Sequence, residues 1–151
     1  MKLAKRILAP IDFSEFSRDA LDVAIDLAAH YRAELLLVHV VPFILPLTAR
    51  EPVLSDTERQ RDQHAAAAGR LSELASLATA KGVTARTEIG SANEVGMELL
   101  RIAQHHQVDL IVIATHGMTG WRTIPFGSVA DKVVKHADCA VLVLRVQPKP
   151  A

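Results

Sequence analysis

Leu110–His136 reads LIVIATHGMTGWRTIPFGSVADKVVKH. Its opening run, Leu110-Ile111-Val112-Ile113, is apolar at every position, the composition of a strand covered on both faces of a parallel sheet. Its close, Val129–His136, has helical spacing. Between them the stretch Ala114–Ser128 carries Gly117, Gly120 and Gly127. A buried strand that enters a glycine-bearing loop and leaves it at a helix N-terminus gathers backbone N–H groups and the positive end of a helix dipole. That arrangement suits a phosphate.

Working outward, Asp109–Thr115 joins four further apolar runs as candidate strands: Arg6–Ile11, Glu34–Val41, Val83–Ile89 and Ala140–Arg145. Four segments with helical character alternate with them: Ser14–Tyr31, about Asp56–Lys81, Asn93–His106 and Ser128–His136. In the first, Ala20, Val23, Ala24, Leu27 and Ala28 recur at three- and four-residue spacing and form one apolar stripe. Gly82 stands where the second helix must stop, at a left-handed cap position. The order βαβαβαβαβ predicts an α/β fold, a Rossmann-like, doubly wound, open five-stranded parallel sheet flanked by helices, in a single domain over residues 1–151. The irregular stretch Pro42–Ser55, PFILPLTAREPVLS, holds three prolines that forbid a regular helix or central strand. The Ala65–Ala68 run favours helix but offers little bulk, so it reads as solvated helix.

Bulk properties narrow the function. The 151 residues include 17 acidic and 17 basic side chains and are half hydrophobic. Neutrality argues against a general nucleic-acid binder, and no uninterrupted apolar run approaches the roughly 18 residues of a membrane span. Met1–Ser14, MKLAKRILAPIDFS, reads as a first strand and not as a signal peptide. The single cysteine, Cys139, excludes an internal disulfide and fits a reducing cytoplasm. It opens an apolar strand and reads as a buried, inert thiol. His30, His64, His105, His106 and His136 show no metal-ligand spacing.

Topology places the ligand. In open α/β sheets, ligands bind beyond the carboxyl ends of the strands where the strand order reverses. The order 2-1-3-4-5 brings the loops after strands one and three together, and the order 3-2-1-4-5 those after strands one and four. The chemistry-bearing segments follow strand one (Pro10-Ile11-Asp12-Phe13-Ser14) and strand four. Gly90-Ser91-Ala92-Asn93, read as the loop after strand three, is plainer. The order 3-2-1-4-5 is therefore expected.

Along essentially its whole length the chain resembles the universal stress proteins of the UspA superfamily. The resemblance rests on ILAPIDFSEFS (Ile7–Ser17), LLLVHVV (Leu35–Val41), ATHGMTG (Ala114–Gly120) and FGSVADKVVKHADCAVLVL (Phe126–Leu144). Nucleotide-binding members carry G-x2-G-x9-G-[S/T]. Here Gly117, nine further residues, Gly127 and Ser128 keep that spacing, while Ala114 stands at the first glycine position.

Several of these residues have two readings. Gly117 and Gly127 either let backbone amides approach phosphate or simply permit turns, and Gly120, inside the spacer, reads as a turn residue. Ser128 with Asp131 forms a capping box without any ligand; the resemblance places Ser128 against phosphate, with the amides of Val129 and Ala130 beside it. Asp12 either meets ribose hydroxyls, as an acidic residue does in dinucleotide folds, or caps the first helix in a box with Glu15. Val40 would offer its backbone to an adenine edge, by resemblance, and Pro10, Ile11, Ile113 and Ala114 are positions where members touch the nucleotide. His116 would bond phosphate or ribose, or shape the turn. A methyl at Ala114 narrows the approach, and a positive φ there would defeat the site.

The glycine stretch carries no Walker lysine, with Arg122 its one cation, and no carboxylate pair with metal-holding geometry accompanies it. Phosphoryl transfer depends on positioning and charge neutralisation, so the resemblance implies a holder of ATP, with Mg²⁺ carried by the phosphates, and at most a weak hydrolase. The last strand, with Val141, Leu142, Val143 and Leu144, is an apolar edge that pairing with a second copy would cover. Family members commonly dimerise this way. The implied function is a dimeric, nucleotide-dependent scaffold or sensor in the stress response, with an unknown protein partner. The alternative is a stress protein that binds no nucleotide and acts through protein–protein contacts alone.

Overall fold

The computed structural model describes residues 4–43, 54–115 and 127–145. Its elements run β1 (Arg6–Pro10), α1 (Glu15–Tyr31), β2 (Glu34–Pro42), α2 (Leu54–Ala80), β3 (Ala85–Ala92), α3 (Val95–His105), β4 (Leu110–Thr115), α4 (Ser128–His136) and β5 (Ala140–Arg145). All strand pairs are parallel, in the order β3-β2-β1-β4-β5. This is the 3-2-1-4-5 order expected from the sequence.

Period-two alternation makes both faces apolar. Ile7, Leu35, Leu37 and Val112 point to the face covered by α1 and α2, where they meet Leu21, Ile25 and Leu71. Leu8, Leu36, Val38, Ile111 and Ile113 point the other way, onto Leu99, Ile102 and Val133 of α3 and α4. Each fully buried Leu or Ile contributes about 1.5–3 kcal/mol by leaving water. Two helices per face follow from crossovers that wind in opposite directions from the central β1.

Three of the strands are fed by the same device. Arg32, Gly82 and Gln107 are left-handed, at φ 53°, 78° and 51°. The N–H of the next residue then reaches back into the helix: Ala33 to Ala28 O, Val83 to Ala78 O and Val108 to Ala103 O, at 2.9, 3.0 and 2.9 Å. This closes the helix ends and buries Ala33, Val83 and Val108 at the strand entrances. Gly82 is the cap read from the sequence; Arg32 and Gln107 accept the same backbone without glycine's freedom.

The structure shifts several boundaries. β1 ends at Pro10, one residue early. β3 starts at Ala85 and runs through Ala92, because Gly90, Ser91 and Ala92 pair with Val40, Val41 and Pro42; the expected loop there is strand. Leu54 and Ser55, taken with the proline-rich stretch, already belong to α2. α3 starts at Val95, with Glu94 as N-cap. In the alanine run Ala65, Ala66 and Ala68 are exposed and Ala67 is buried. Cys139 precedes β5 and is half-buried, not fully buried as expected, and burial pushes its thiol pKa up, which favours the protonated form. Among the described residues no helix is long and apolar enough to cross a membrane.

Candidate functional site

The carboxyl ends of β1 and β4 lie side by side, yet β1 leads to α1 on one face and β4 leads towards α4 on the other. The divergence opens a crevice of about 380 Å³. Pro10, Ile11, Asp12, Val40, Ile113, Ala114, Gly127, Ser128, Val129 and Ala130 all line it. The remaining two expected site residues, His116 and Gly117, lie outside the described residues, as do Gly120 and Arg122.

On the β1 side the loop is built around a carboxylate. Asp12 Oδ1 accepts the Ser14 N–H at 2.9 Å and the Ser14 hydroxyl at 2.5 Å. Ser14 Oγ in turn accepts the Ser17 N–H at 3.2 Å, so Ser14 is the N-cap of α1. The capping box between Asp12 and Glu15, one of the two readings of Asp12, does not form. Asp12 sits two residues before the cap and orients it, as an Asp does in an Asx turn. The carboxylate lines the crevice from a fixed position.

On the β4 side the helix cap lies one residue earlier than the sequence suggests. Gly127, with extended backbone at φ −61° and ψ 158°, is the N-cap of α4, and Ser128 is the first helical residue. Asp131 then falls one place too far along for a box; its N–H bonds Gly127 O at 2.9 Å and its carboxylate takes Lys135 Nζ at 2.9 Å. Glycine brings no side-chain oxygen to the first turn. The amides of Ser128, Val129 and Ala130 have no intrahelical acceptor in such a turn, and all three residues border the crevice. Ala114 lies within β4, opposite Leu144 of β5. It is not among the residues with positive φ, so its methyl group imposes no backbone strain there.

A profile of the universal stress protein family matches residues 4–145. The chain belongs to the universal stress protein family. Universal stress protein MJ0531 of Methanocaldococcus jannaschii is 34% identical over 151 residues, covering 97% of this chain and 85% of that one. The solved universal stress protein UspA from Lactobacillus plantarum superposes with a TM-score of 0.78 at 26% identity, over 96% of this chain and 100% of that one. A universal stress protein from Archaeoglobus fulgidus, solved in complex with dAMP, shares the fold at a TM-score of 0.63 and 19% identity, over 94% and 98% of the two chains.

In this universal stress protein the crevice also has walls that the sequence reading missed. Val95 and Leu99 of α3, with Val38 of β2, make one side apolar. Their signal was present as an i, i+4 pair on an amphipathic helix, but such a pair reads as core until the topology is known. His39 also lines the crevice. It was the one polar side chain in the apolar run of β2, and its Nδ1 lies 2.7 Å from Ile11 O. A carbonyl only accepts, so Nδ1 carries the hydrogen. Among the described residues no group of three or more His, Cys, Asp or Glu is placed to hold a metal ion.

Proposed function

We propose that this universal stress protein holds an adenine nucleotide, ATP, in the crevice between β1 and β4. The observation that carries the reading is one juxtaposition. An apolar slot (Val38, Val40, Val95, Leu99, Ile113) is continuous with a helix N-terminus whose cap is a glycine. The slot suits a flat, weakly polar base, and the amides of Ser128, Val129 and Ala130 suit phosphate oxygens. Asp12, fixed at the rim, suits ribose hydroxyls. The dAMP held by the Archaeoglobus fulgidus protein supports the ligand class. The volume of about 380 Å³ falls in the range of roughly 300–1,000 Å³ usual for small-molecule sites. Mg²⁺ would be carried by the phosphates.

The chain acts as a single domain in the cytoplasm and as a holder of nucleotide, with dimerisation through β5 and an unidentified protein partner reading the loaded state. β5 pairs on one side only, with β4, among the described strands, and Val141, Leu142, Val143 and Leu144 are half-buried along it. Sedimentation of Val143→Asp tests the pairing: monomer is expected, and an unchanged dimer places the interface elsewhere. For the ligand, native mass spectrometry of protein purified without added nucleotide, followed by calorimetry with ATP and Mg²⁺, gives a bound adenine nucleotide and measurable heat. No heat and no thermal shift at millimolar ATP overturns the reading.

A further inference from the structure

Phe13 is a bulky residue held at φ 65° in the loop between β1 and α1. Such a conformation persists only where its surroundings over-determine it. Two side chains from other elements contact the ring. His39 packs against it with centroids 4.6 Å apart and planes at 42°, and the Arg70 guanidinium carbon of α2 lies 3.9 Å from its centroid. His39 is itself fixed through Nδ1 to Ile11 O, and the Ile11 N–H bonds Val38 O at 2.8 Å. The backbone on one side of Asp12 is thus clamped to β2, and the ring on the other side is clamped between β2 and α2. Phe13 and Arg70 border a separate groove beside α1 and α2, not the crevice. They reach the crevice only through what they hold still.

We infer that Arg70 and Phe13 are positioning residues for the crevice, a cation–aromatic–imidazole stack that holds the left-handed turn and thereby the Asp12 carboxylate and the Ser14 cap in place for the nucleotide. The inference rests on the nucleotide reading of the crevice for its purpose and on the stack geometry for its mechanism. A guanidinium over an aromatic face is attracted by the ring quadrupole, and a planar fork stacks there better than an ammonium. The stack also couples α2 to the site. A displacement of α2 that lifts Arg70 from the ring releases the turn, and a ligand that fixes the turn holds α2, because coupling is reciprocal.

Two measurements test this, one without ligand and one with it. Amide exchange by NMR in the ligand-free protein reads the turn through the Ser14 and Ser17 N–H groups. Arg70→Met, which keeps the stem and drops the cation, and Phe13→Leu, which drops the ring, both speed exchange at these amides. Arg70→Lys restores part of the protection. Calorimetry with adenosine, which has no phosphate to sense a lost charge, then shows a Kd raised about threefold by Arg70→Met, the size of an exposed cation–π contact. Phe13→Leu raises it more, and the double variant is less than additive, as for two residues acting through one contact. Unchanged exchange at Ser14 and Ser17 in Arg70→Met overturns the inference, as does a strictly additive double variant. Failure of the unaltered chain to bind adenosine or ATP overturns the nucleotide reading, and the exchange rates then still decide whether the stack holds the turn.

Discussion

At the amino ends of the strands helices finish, and at the carboxyl ends they begin; the chain treats the two ends differently. At the amino end Ala33, Val83 and Val108 donate back into the helices that precede them. There Asp109 Oδ2 accepts the N–H groups of Lys5 and Arg6 at 2.8 and 2.9 Å, and Arg6 Nη1 donates to His106 O at 3.0 Å. Polar groups at this end are spent on one another. At the carboxyl end a bulky residue stands in left-handed backbone, a helix starts on glycine, and apolar side chains border a cavity. One end closes the fold and the other borders the crevice, the end at which open α/β sheets generally place their ligands.

The largest expected effect is at a residue that belongs to both the core and the crevice wall. Leu99 is fully buried in the core beneath α3 and also lines the crevice. Leu99→Ala removes buried methyl groups and leaves a space, with an expected loss of about 3 kcal/mol in denaturant unfolding and weaker nucleotide binding by calorimetry. A variant that loses stability while keeping full affinity would show that the apolar wall belongs to the fold alone.

Asp109 tests the closing end by itself. Asp109→Ala deletes the acceptor for two backbone N–H groups, and water replaces part of what is lost because the site is exposed. The expected cost is about 1–2 kcal/mol, with nucleotide affinity unchanged, and Asp109→Asn recovers much of the loss. A change in affinity would break the separation of the two ends, since the effect would have to cross the full length of β4.

The two ends were also unequally legible in the sequence. Strand composition, the apolar stripe of α1 and Gly82 are local signals, and they suffice for the element order. The strand order is legible at the carboxyl end, where the chemistry-bearing segments follow strands one and four. Asp12 has two readings in the sequence, ribose contact or cap, because an acid three residues before Glu15 fits a box; the choice of Ser14 depends on which residue leaves the helix first, a backbone outcome that two nearby capping candidates do not settle. Ser128 lost its cap to Gly127 for the same reason. The stack of Arg70, Phe13 and His39 joins residues far apart in sequence, each unremarkable alone, and only the packing of α2 beside β2 brings them together. Arg32 and Gln107 gave no signal because neither is the glycine or asparagine that usually marks a left-handed cap.

That last pair gives the smallest and most discriminating prediction. If the closing end is governed by helix-stop geometry, its three left-handed residues should respond to glycine and alanine in opposite ways at equivalent positions. Arg32→Gly removes the Cβ penalty at φ 53° and should raise stability by about 0.5–1 kcal/mol, although part of the gain is offset by the freer unfolded chain. Gly82→Ala introduces the penalty at φ 78° and should lower stability by a similar amount. An added Cβ there meets no atom within 4 Å, so backbone conformation alone is being measured. Urea unfolding resolves changes of this size, and both variants should bind nucleotide as the unaltered chain does. Gly82→Ala without loss would mean that the turn relaxes out of the left-handed region, and the bond from the Val83 N–H to Ala78 O would then be lost from the exchange-protected set.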